Sequence, residues 1–242
     1  MPDFLASLRT RDRQPELMDQ PGLDEQVHAH ALRSLTRINW ISRTTGLIWK
    51  PIQKLVRERP PQRPLRILDV AAGGGDVVLG LARRAAAAGI DAQVDGCDIN
   101  PTAIQYAGDR ARQAGLRQVS FFQADVLQAP LPEGYDIVTC SLFLHHLSDS
   151  EIVRVLRAMA AASQQLVIAS DLCRNRFAYI MTWVGCRLLT RSPIVHVDGP
   201  LSVAAALTVP EARDLAQQAG LTGTTFTRYF PERFLLVWSK PS

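Results

Sequence analysis

Short apolar runs alternate with stretches of helical periodicity through most of the chain after residue 64. The apolar runs predict seven strands, at Arg66–Ala71, Gln93–Cys97, Val119–Gln123, Tyr135–Ser141, Gln165–Ala169, Gly223–Tyr229 and Phe234–Ser239. Helices are predicted among the first five strands, over Val77–Ala88, Pro101–Ala114 and Ser150–Ser163. Strands that alternate with helices are joined by crossovers, so these strands are expected to run parallel.

The last two strands are separated only by residues 230–233, which predicts an antiparallel hairpin at the sheet edge. The fold class expected from this pattern is α/β. It comprises a Rossmann-like, seven-stranded, mostly parallel sheet with an antiparallel final hairpin and flanking helices.

Two segments lie outside this alternation. Residues 1–60 combine an irregular start with helical spacings between Leu23 and Val56 that Gly46 and Pro51 interrupt, which predicts an N-terminal helical extension or cap of two or three helices. A proline-rich boundary then leads into an α/β domain over 61–242. Residues 171–208 are too long for a simple turn and predict a lid inserted into that domain.

Composition and charge narrow the function classes only slightly. The 242 residues are 47% hydrophobic and 21% charged, as in an ordinary globular protein, and a net charge of +4 does not by itself argue for a nucleic-acid partner. Residues 1–66 hold twelve Lys or Arg against seven Asp or Glu. This basic excess is typical of a solvated helical face, and contact with an acidic lipid surface or an anionic ligand is the alternative.

The cysteines and apolar segments suggest a cytoplasmic protein. Four cysteines show no metal-ligand spacing and are expected to be reduced, and no metal site is predicted. The first 20 residues lack an apolar leader. The longest apolar stretch, Phe177–Leu189, contains Arg187 and falls short of the ~20 residues that span a bilayer, so peripheral membrane contact is expected at most.

The strongest local signal is RILDVAAGGGDVVLGLA, a strand that ends in an acidic residue and three glycines before a helix. Glycines let backbone N–H groups approach a ligand, and a helix N-terminus favours an anion. A ligand-binding turn is therefore predicted, with a tight turn that binds nothing as the alternative. The dinucleotide fingerprint Gly-x-Gly-x-x-Gly is not matched, because Val78 occupies the place of the third glycine.

Asp69 with the spaced small residues Ala71, Gly73 and Gly75 resembles motif I of class I S-adenosylmethionine-dependent methyltransferases, whose pattern is acidic-x-Gly-x-Gly-x-Gly. Alanine at the first glycine position and aspartate after the last make DVAAGGGD similar to the ubiquinone and menaquinone biosynthesis methyltransferases. The resemblance implies S-adenosyl-L-methionine as cofactor and these four residues in its binding.

Later segments match in the same order, so that the resemblance covers about residues 66–147. Asp98 ends the second strand about 20 residues after the glycine turn, where a carboxylate accepts both ribose hydroxyls, although a helix-capping role is the alternative. The segment QADVLQAPLPEGYD resembles the one in which an acidic side chain receives the adenine amino group. The cofactor residues implied here are Asp98, Ile99, Asp125, Val126 and Ser141.

The stretch TCSLFLHHL at residues 139–147 is expected beside the reacting sulfonium. It lacks the Asn/Asp-Pro-Pro-aromatic motif of enzymes that methylate base amino groups, so a nucleic-acid substrate is not expected. His145 and His146 are candidate bases, because histidine, with an ordinary pKa of about 6.5, is suited to taking a proton from a phenol. Packing against the cofactor is the alternative.

Acceptor-binding residues are predicted in the lid and the N-terminal extension. The apolar lid helix from Phe177 and the extension bearing Trp40 are expected to wall a pocket for an aromatic or lipid-like acceptor, with ordinary core packing as the alternative. The polar candidates are Asp171, Arg174, His196 and Asp198, the last two facing alike on an extended segment.

Together these features predict methyl transfer to oxygen or carbon of a small apolar aromatic acceptor, such as a phenolic, polyketide or quinone-like metabolite. A dinucleotide-dependent oxidoreductase and a noncatalytic interaction protein on a methyltransferase scaffold are the alternatives.

Overall fold

The structure, a computed structural model, describes residues 8–17, 44–190 and 192–241. The helices of this part of the chain are α1 Thr44–Glu58, α2 Asp76–Ala87, α3 Pro101–Gln113, α4 Asp149–Ala162, α5 Arg176–Leu189, α6 Pro193–Ala205 and α7 Val209–Gln218. The strands are β1 Leu65–Val70, β2 Ala92–Asp98, β3 Val119–Gln123, β4 Tyr135–Ser141, β5 Ser163–Leu172, β6 Thr225–Tyr229 and β7 Arg233–Ser239. A short 3₁₀ turn covers Leu144–His146.

The seven strands form one sheet in the order β3-β2-β1-β4-β5-β7-β6. Strands β1 to β5 are parallel, whereas β7 runs antiparallel to both β5 and β6. The predicted fold class is confirmed. Because the strand order reverses direction between β1 and β4, a crevice opens at the carboxyl edge of these strands, the usual place for a ligand in such sheets.

Each face of the sheet is covered by helices, which explains why the central strands are apolar throughout. On one face Ile67, Ile137 and Ile168 pack with Ile48 and Ile52 of α1 and with α2. On the other face the core includes side chains from α4 and α7. The sheet thus lies between two helical layers, and the apolar cores on its two faces fix the position of its carboxyl edge.

Helix α1 runs through Gly46 and Pro51, so the predicted interruptions at these residues are wrong. A proline inside a helix costs about 3 kcal/mol. Burial of Ile48, Trp49 and Ile52 against the sheet offsets that cost. The rest of the predicted cap lies mostly outside the described residues, and the division at residues 60 and 61 stays a prediction.

The predicted lid consists of helices α5 and α6, which pack against each other and are followed by α7. His196 and Asp198 lie within α6, so the expectation of an extended segment with both side chains facing alike is wrong. Residues two apart on a helix point in different directions. Pro193 begins the helix at a position where proline is favourable, and the helix continues through Pro200. None of the described helices is long and apolar enough to cross a bilayer.

Arg174, predicted to bind the acceptor, joins distant parts of the fold. Its guanidinium is buried, donates to the backbone oxygens of Leu8 and Ala206, and pairs with Glu211 at 2.6 Å. These partners come from the N-terminal segment and from both ends of the connection between α6 and α7. Arg174 therefore anchors the segment predicted to be a lid, and its guanidinium is engaged by the protein itself.

Replacing Arg174 with methionine should lower the free energy of unfolding by about 2–3 kcal/mol, because two buried carbonyls lose their donor. Urea denaturation measures the change. The control Arg154→Met, at a side chain 57% exposed, should change it by less than about 0.5 kcal/mol. Unchanged stability with weakened acceptor binding would restore the predicted substrate role.

Candidate active site

The glycine turn after β1 opens onto the crevice. Ala71, Gly73 and Gly75 all adopt left-handed backbone conformations, with φ of 54°, 50° and 78°. A Cβ on Gly73 would meet nothing within 4 Å, whereas one on Gly75 would come within 2.8 Å of the Phe121 ring. Gly73 therefore leaves room for a ligand at the backbone, and Gly75 allows close packing of α2 against its neighbours.

Asp98 ties the glycine turn to the end of β2. One carboxylate oxygen accepts from the backbone N of Gly73 at 2.8 Å and the other from the N of Asn100 at 2.9 Å. The cap of α3 is Asn100, which accepts from Thr102 N and Ala103 N, so the capping alternative for Asp98 is wrong. A carboxylate has about four acceptor sites, so two remain for the hydroxyls of a ribose.

The other predicted cofactor residues lie along the same edge. Ile99 is 60% exposed beside Asp98, and Asp125 closes a turn after β3 by accepting from Leu127 N at 2.9 Å. Val126 and Ser141 are half-buried. An exposed apolar side chain between two acidic turns fits the adenosyl group of S-adenosylmethionine. The individual binding roles stay predictions.

Asp69 is buried near the end of β1, just before the glycine turn. Its carboxyl group is 1% exposed and accepts a hydrogen bond of 2.6 Å from the Thr139 hydroxyl. Burial, reinforced by the charge of Asp98, raises the pKa of Asp69 to about 7, although the Thr139 hydrogen bond opposes the shift. The described hydrogen bond joins Asp69 to β4, and its role in cofactor binding stays a prediction.

Arg110 of α3 clamps the turn from the side, a contact that motif spacing did not reveal. Its guanidinium donates to the backbone oxygen of Gly74 and to the Asp76 carboxylate, each at 2.6 Å. The aspartate that follows the glycines therefore has a structural partner on the next helix.

The histidine turn after β4 is fixed by the end of β5. Leu142 has a positive φ of 52°, a costly conformation for leucine, and its N–H donates to the backbone carbonyl of Ser170. His145 is 4% exposed, and its Nδ1 lies 2.7 Å from Oδ1 of Asp171, which is 2% exposed. The other Asp171 oxygen accepts from the backbone N of His145 at 3.2 Å.

This pairing sets which nitrogen of His145 carries the proton. Burial alone would raise the pKa of Asp171, but the facing imidazole and its hydrogen bond outweigh burial and hold the pKa below its ordinary value. An ionised carboxylate only accepts, so Nδ1 of His145 is the nitrogen that donates to Asp171. Asp171, predicted as an acceptor anchor, is therefore a partner of His145.

An N-terminal strap, residues 8–17, crosses the histidine turn and was missed by sequence reasoning. Arg11 donates to the backbone oxygens of Leu144 and His145 at 3.0 and 3.1 Å. Glu16 is 6% exposed, accepts from Ser202 of α6, and lies 3.7 Å from Nε2 of His145. Nε2 of His145 thus faces a second buried carboxyl group.

The remaining predicted residues are more peripheral or lie outside the described chain. The His146 ring centroid is 4.2 Å from that of His145. Nε2 of His196 lies 2.8 Å from the backbone oxygen of Thr190, a contact that links the end of α5 to α6. Trp40 lies outside the described residues.

Comparison with known proteins finds methyltransferases both by sequence and by fold. The model of a methyltransferase domain family matches residues 67–165. The ubiquinone biosynthesis O-methyltransferase of Bordetella parapertussis is 30% identical over 206 residues, which cover 84% of this chain and 75% of that protein. The corresponding protein of Pseudomonas fluorescens is 28% identical over 64% of this chain, which spans only 58% of the relative's length.

Two solved structures share the fold. The magnesium protoporphyrin IX methyltransferase of Synechocystis with bound S-adenosylhomocysteine has a TM-score of 0.58 at 18% identity and covers 99% of this chain and 94% of its own. The CMeT domain of the citrinin polyketide synthase has a TM-score of 0.62 at 15% identity, and the match covers 86% of this chain and 56% of that chain.

The raised pKa of Asp69 predicts a pH-dependent stability. Because the folded-state pKa of about 7 exceeds the unfolded value near 3.8, the folded state favours the protonated carboxyl. Its contribution to stability is complete below pH 4 and is lost as the pH rises through 7. Asp69→Asn cannot ionise, so its stability relative to wild type should increase between pH 4 and 7, by up to about 4 kcal/mol, and then level off.

Calorimetric melting of the cofactor-free protein across this pH range measures the difference. The surface variant Asp109→Asn serves as control and should show no such increase. If the stability difference between Asp69→Asn and wild type were the same at every pH, the pKa of Asp69 would not be raised by burial.

Proposed function

Because this chain belongs to the class I S-adenosylmethionine-dependent methyltransferases, we propose that it methylates oxygen or carbon of a small apolar aromatic acceptor, such as a phenolic, polyketide or quinone-like metabolite. The chain is an enzyme, and its cofactor is S-adenosyl-L-methionine. Family membership leaves no support for a dinucleotide-dependent oxidoreductase. A noncatalytic protein on a methyltransferase scaffold would show no S-adenosylhomocysteine release in the assay below. The acceptor proposal depends on one observation, the buried pair of His145 and Asp171.

The relatives favour oxygen as the acceptor atom. The Bordetella and Pseudomonas proteins are named O-methyltransferases of ubiquinone biosynthesis. A phenolic hydroxyl has an ordinary pKa near ~10 and reacts better when a base takes its proton. A ring carbon also loses a proton after methylation, so the same pair serves a carbon acceptor.

S-adenosylmethionine supplies an activated methyl group on a sulfonium, so the protein must position the acceptor and manage one proton. Nε2 of His145 accepts the proton from the acceptor hydroxyl as the oxygen takes the methyl group. Asp171 accepts a hydrogen bond from Nδ1, which keeps a proton on that nitrogen, and stabilises the imidazolium that forms. Glu16, 3.7 Å from Nε2, adds a second negative charge beside the protonated ring.

His145→Ala should lower kcat by about 10²–10⁴-fold, the usual contribution of a general base, while S-adenosylhomocysteine binds as before. Activity is measured as S-adenosylhomocysteine release with a panel of phenols and quinols, and binding by calorimetry. Added imidazole should restore part of the rate, and Asp171→Asn should lower kcat without rescue by imidazole.

The control His146→Ala should retain kcat within about tenfold, since general-base loss costs more than that. Glu16, His145 and His146 place possible metal-ligand atoms within 4.8 Å of one another, so the assay is repeated after dialysis against EDTA. The proposal that His145 is the general base would be contradicted if EDTA abolished activity and zinc restored it, or if His145→Ala left the rate unchanged.

We also propose that α5 contacts an anionic membrane surface. Four of its large apolar residues, Phe177, Ile180, Trp183 and Leu188, are 44–79% exposed, which does not fit the core packing expected as the alternative. The helix carries no acidic residue, and Arg187 lies 3.9 Å from the centroid of the Trp183 ring. Apolar residues bordered by tryptophan and arginine suit the headgroup region of a bilayer.

Phe177→Ser with Leu188→Ser should reduce cosedimentation with phosphatidylglycerol-containing vesicles several-fold, because the two side chains would no longer be buried in the bilayer. Phe230→Ser, which removes a 75% exposed side chain from the β6–β7 hairpin, is the matched control and should pellet as wild type does. Absence of wild-type protein from the pellet would refute the contact.

A further inference from the structure

Two arginines of the N-terminal strap bind the backbone that carries His145. Arg11 donates from Nη2 to the backbone oxygens of Leu144 and His145 at 3.0 and 3.1 Å. Arg13 donates from Nη1 to the backbone oxygen of His146 at 3.1 Å. The three acceptors are consecutive carbonyls of the histidine turn. The strap therefore holds this turn by its main chain.

The histidine turn needs donors from outside itself. A single 3₁₀ turn cannot satisfy its last carbonyls, because no further helical N–H groups follow them. The turn's own backbone bonds end on the oxygens of Phe143 and Leu144. The turn also follows the left-handed Leu142, and such a costly conformation persists only where neighbouring contacts enforce it. The two arginines supply part of that enforcement.

Arg11 is itself held by the rest of the fold. Its Nε donates to the backbone oxygen of Ala205, the last residue of α6, at 2.6 Å. Its Nη1 pairs with Asp149, the first residue of α4, at 2.9 Å. All three nitrogens of the guanidinium are thus engaged, and the side chain is only 12% exposed. Because a guanidinium is planar with a rigid fork of donors, these contacts fix the turn relative to two helices.

His145 is thereby held at its ring, its amide and its carbonyl. Asp171 lies 2.7 Å from Nδ1 of the ring and accepts from the backbone N at 3.2 Å, while Arg11 binds the carbonyl. A general base takes a proton only within hydrogen-bond reach, and a misplacement of about 1 Å costs roughly 10²-fold in rate. Loss of either support should therefore move Nε2 out of a productive position.

We propose that Arg11 is a positioning residue for the His145 base, an inference that rests on the proposed function. Arg11 acts through the main chain of the histidine turn, since its guanidinium is engaged by the protein itself. Its removal should slow the proton transfer and leave the binding of both substrates unchanged. Arg13, which is 40% exposed and contacts the backbone of His146, contributes less.

The kinetic test measures S-adenosylhomocysteine release with the phenol or quinol that wild type methylates fastest. Arg11→Met should lower kcat by about 10–100-fold, with acceptor KM within about twofold of wild type and S-adenosylhomocysteine affinity unchanged. Arg11→Lys should recover part of kcat, because an ammonium group still donates to carbonyls. Arg9→Met, at an exposed arginine of the same strap, is the matched control and should keep the wild-type kcat.

A spectroscopic test needs no acceptor. In protein with isotopically labelled histidine, the Nδ1 proton bonded to Asp171 should give a far-downfield proton resonance, identified by its loss in His145→Ala. Arg11→Met should broaden or abolish this resonance, since a loosened ring exposes the proton to water, whereas Arg9→Met should keep it. A purely structural arginine would instead lower the Tm of Arg11→Met without changing the resonance or kcat.

A wild-type kcat or an unchanged resonance in Arg11→Met would each overturn the positioning role, as would a rise in KM that accounts for the whole loss of kcat/KM. Should Arg11→Met not fold, Arg11→Lys decides. An intermediate kcat with a broadened resonance in that variant supports the role, and a wild-type value of either contradicts it. Failure of the proposed function has a different signature. In that case no phenol or quinol is methylated, while the resonance of His145 still depends on Arg11.

Discussion

Parallel strands joined by helical crossovers must all end at the same edge of a sheet, and the candidate site of this chain depends on that constraint. The turn after β1 supplies the glycines, β2 ends at Asp98, the turn after β4 supplies His145, and Asp171 lies near the end of β5. Hydrogen bonds then join one turn to the next. Asp98 accepts from Gly73, and Asp171 accepts from His145. The sheet thus brings into contact groups that are well separated along the chain.

The fold and much of the cofactor cradle were predictable from sequence because local rules govern them. Apolar runs and helical periodicity identified all seven strands, and Asn100 before Pro101 identified the start of α3. The glycine turn was recognisable because only a few residue types tolerate its left-handed conformations. Where the rules conflicted, as at Pro51, burial outweighed the local preference and the prediction was wrong.

The partners of the catalytic candidates were not predictable, because they depend on tertiary contact. Asp171 was read as an acceptor anchor, yet it bonds to His145, 26 residues earlier. Glu16 belonged to a segment expected only to be irregular, and its carboxylate lies beside His145. His196 and Asp198 lie in the sequence HVDGPLSV, whose Gly and Pro usually interrupt helices, so an extended segment was expected. The segment is helical because α6 packs on α5.

The strap over the histidine turn also bears on how the protein matures. Arg11 meets the backbone of His145 across 134 positions of sequence, and Glu16 meets Ser202 across 186. Contacts of such separation form late, since long loops must close before the contacts are made. During translation the strap leaves the ribosome long before α6 is made. A nascent chain therefore lacks the finished environment of His145 until α6 has been synthesised.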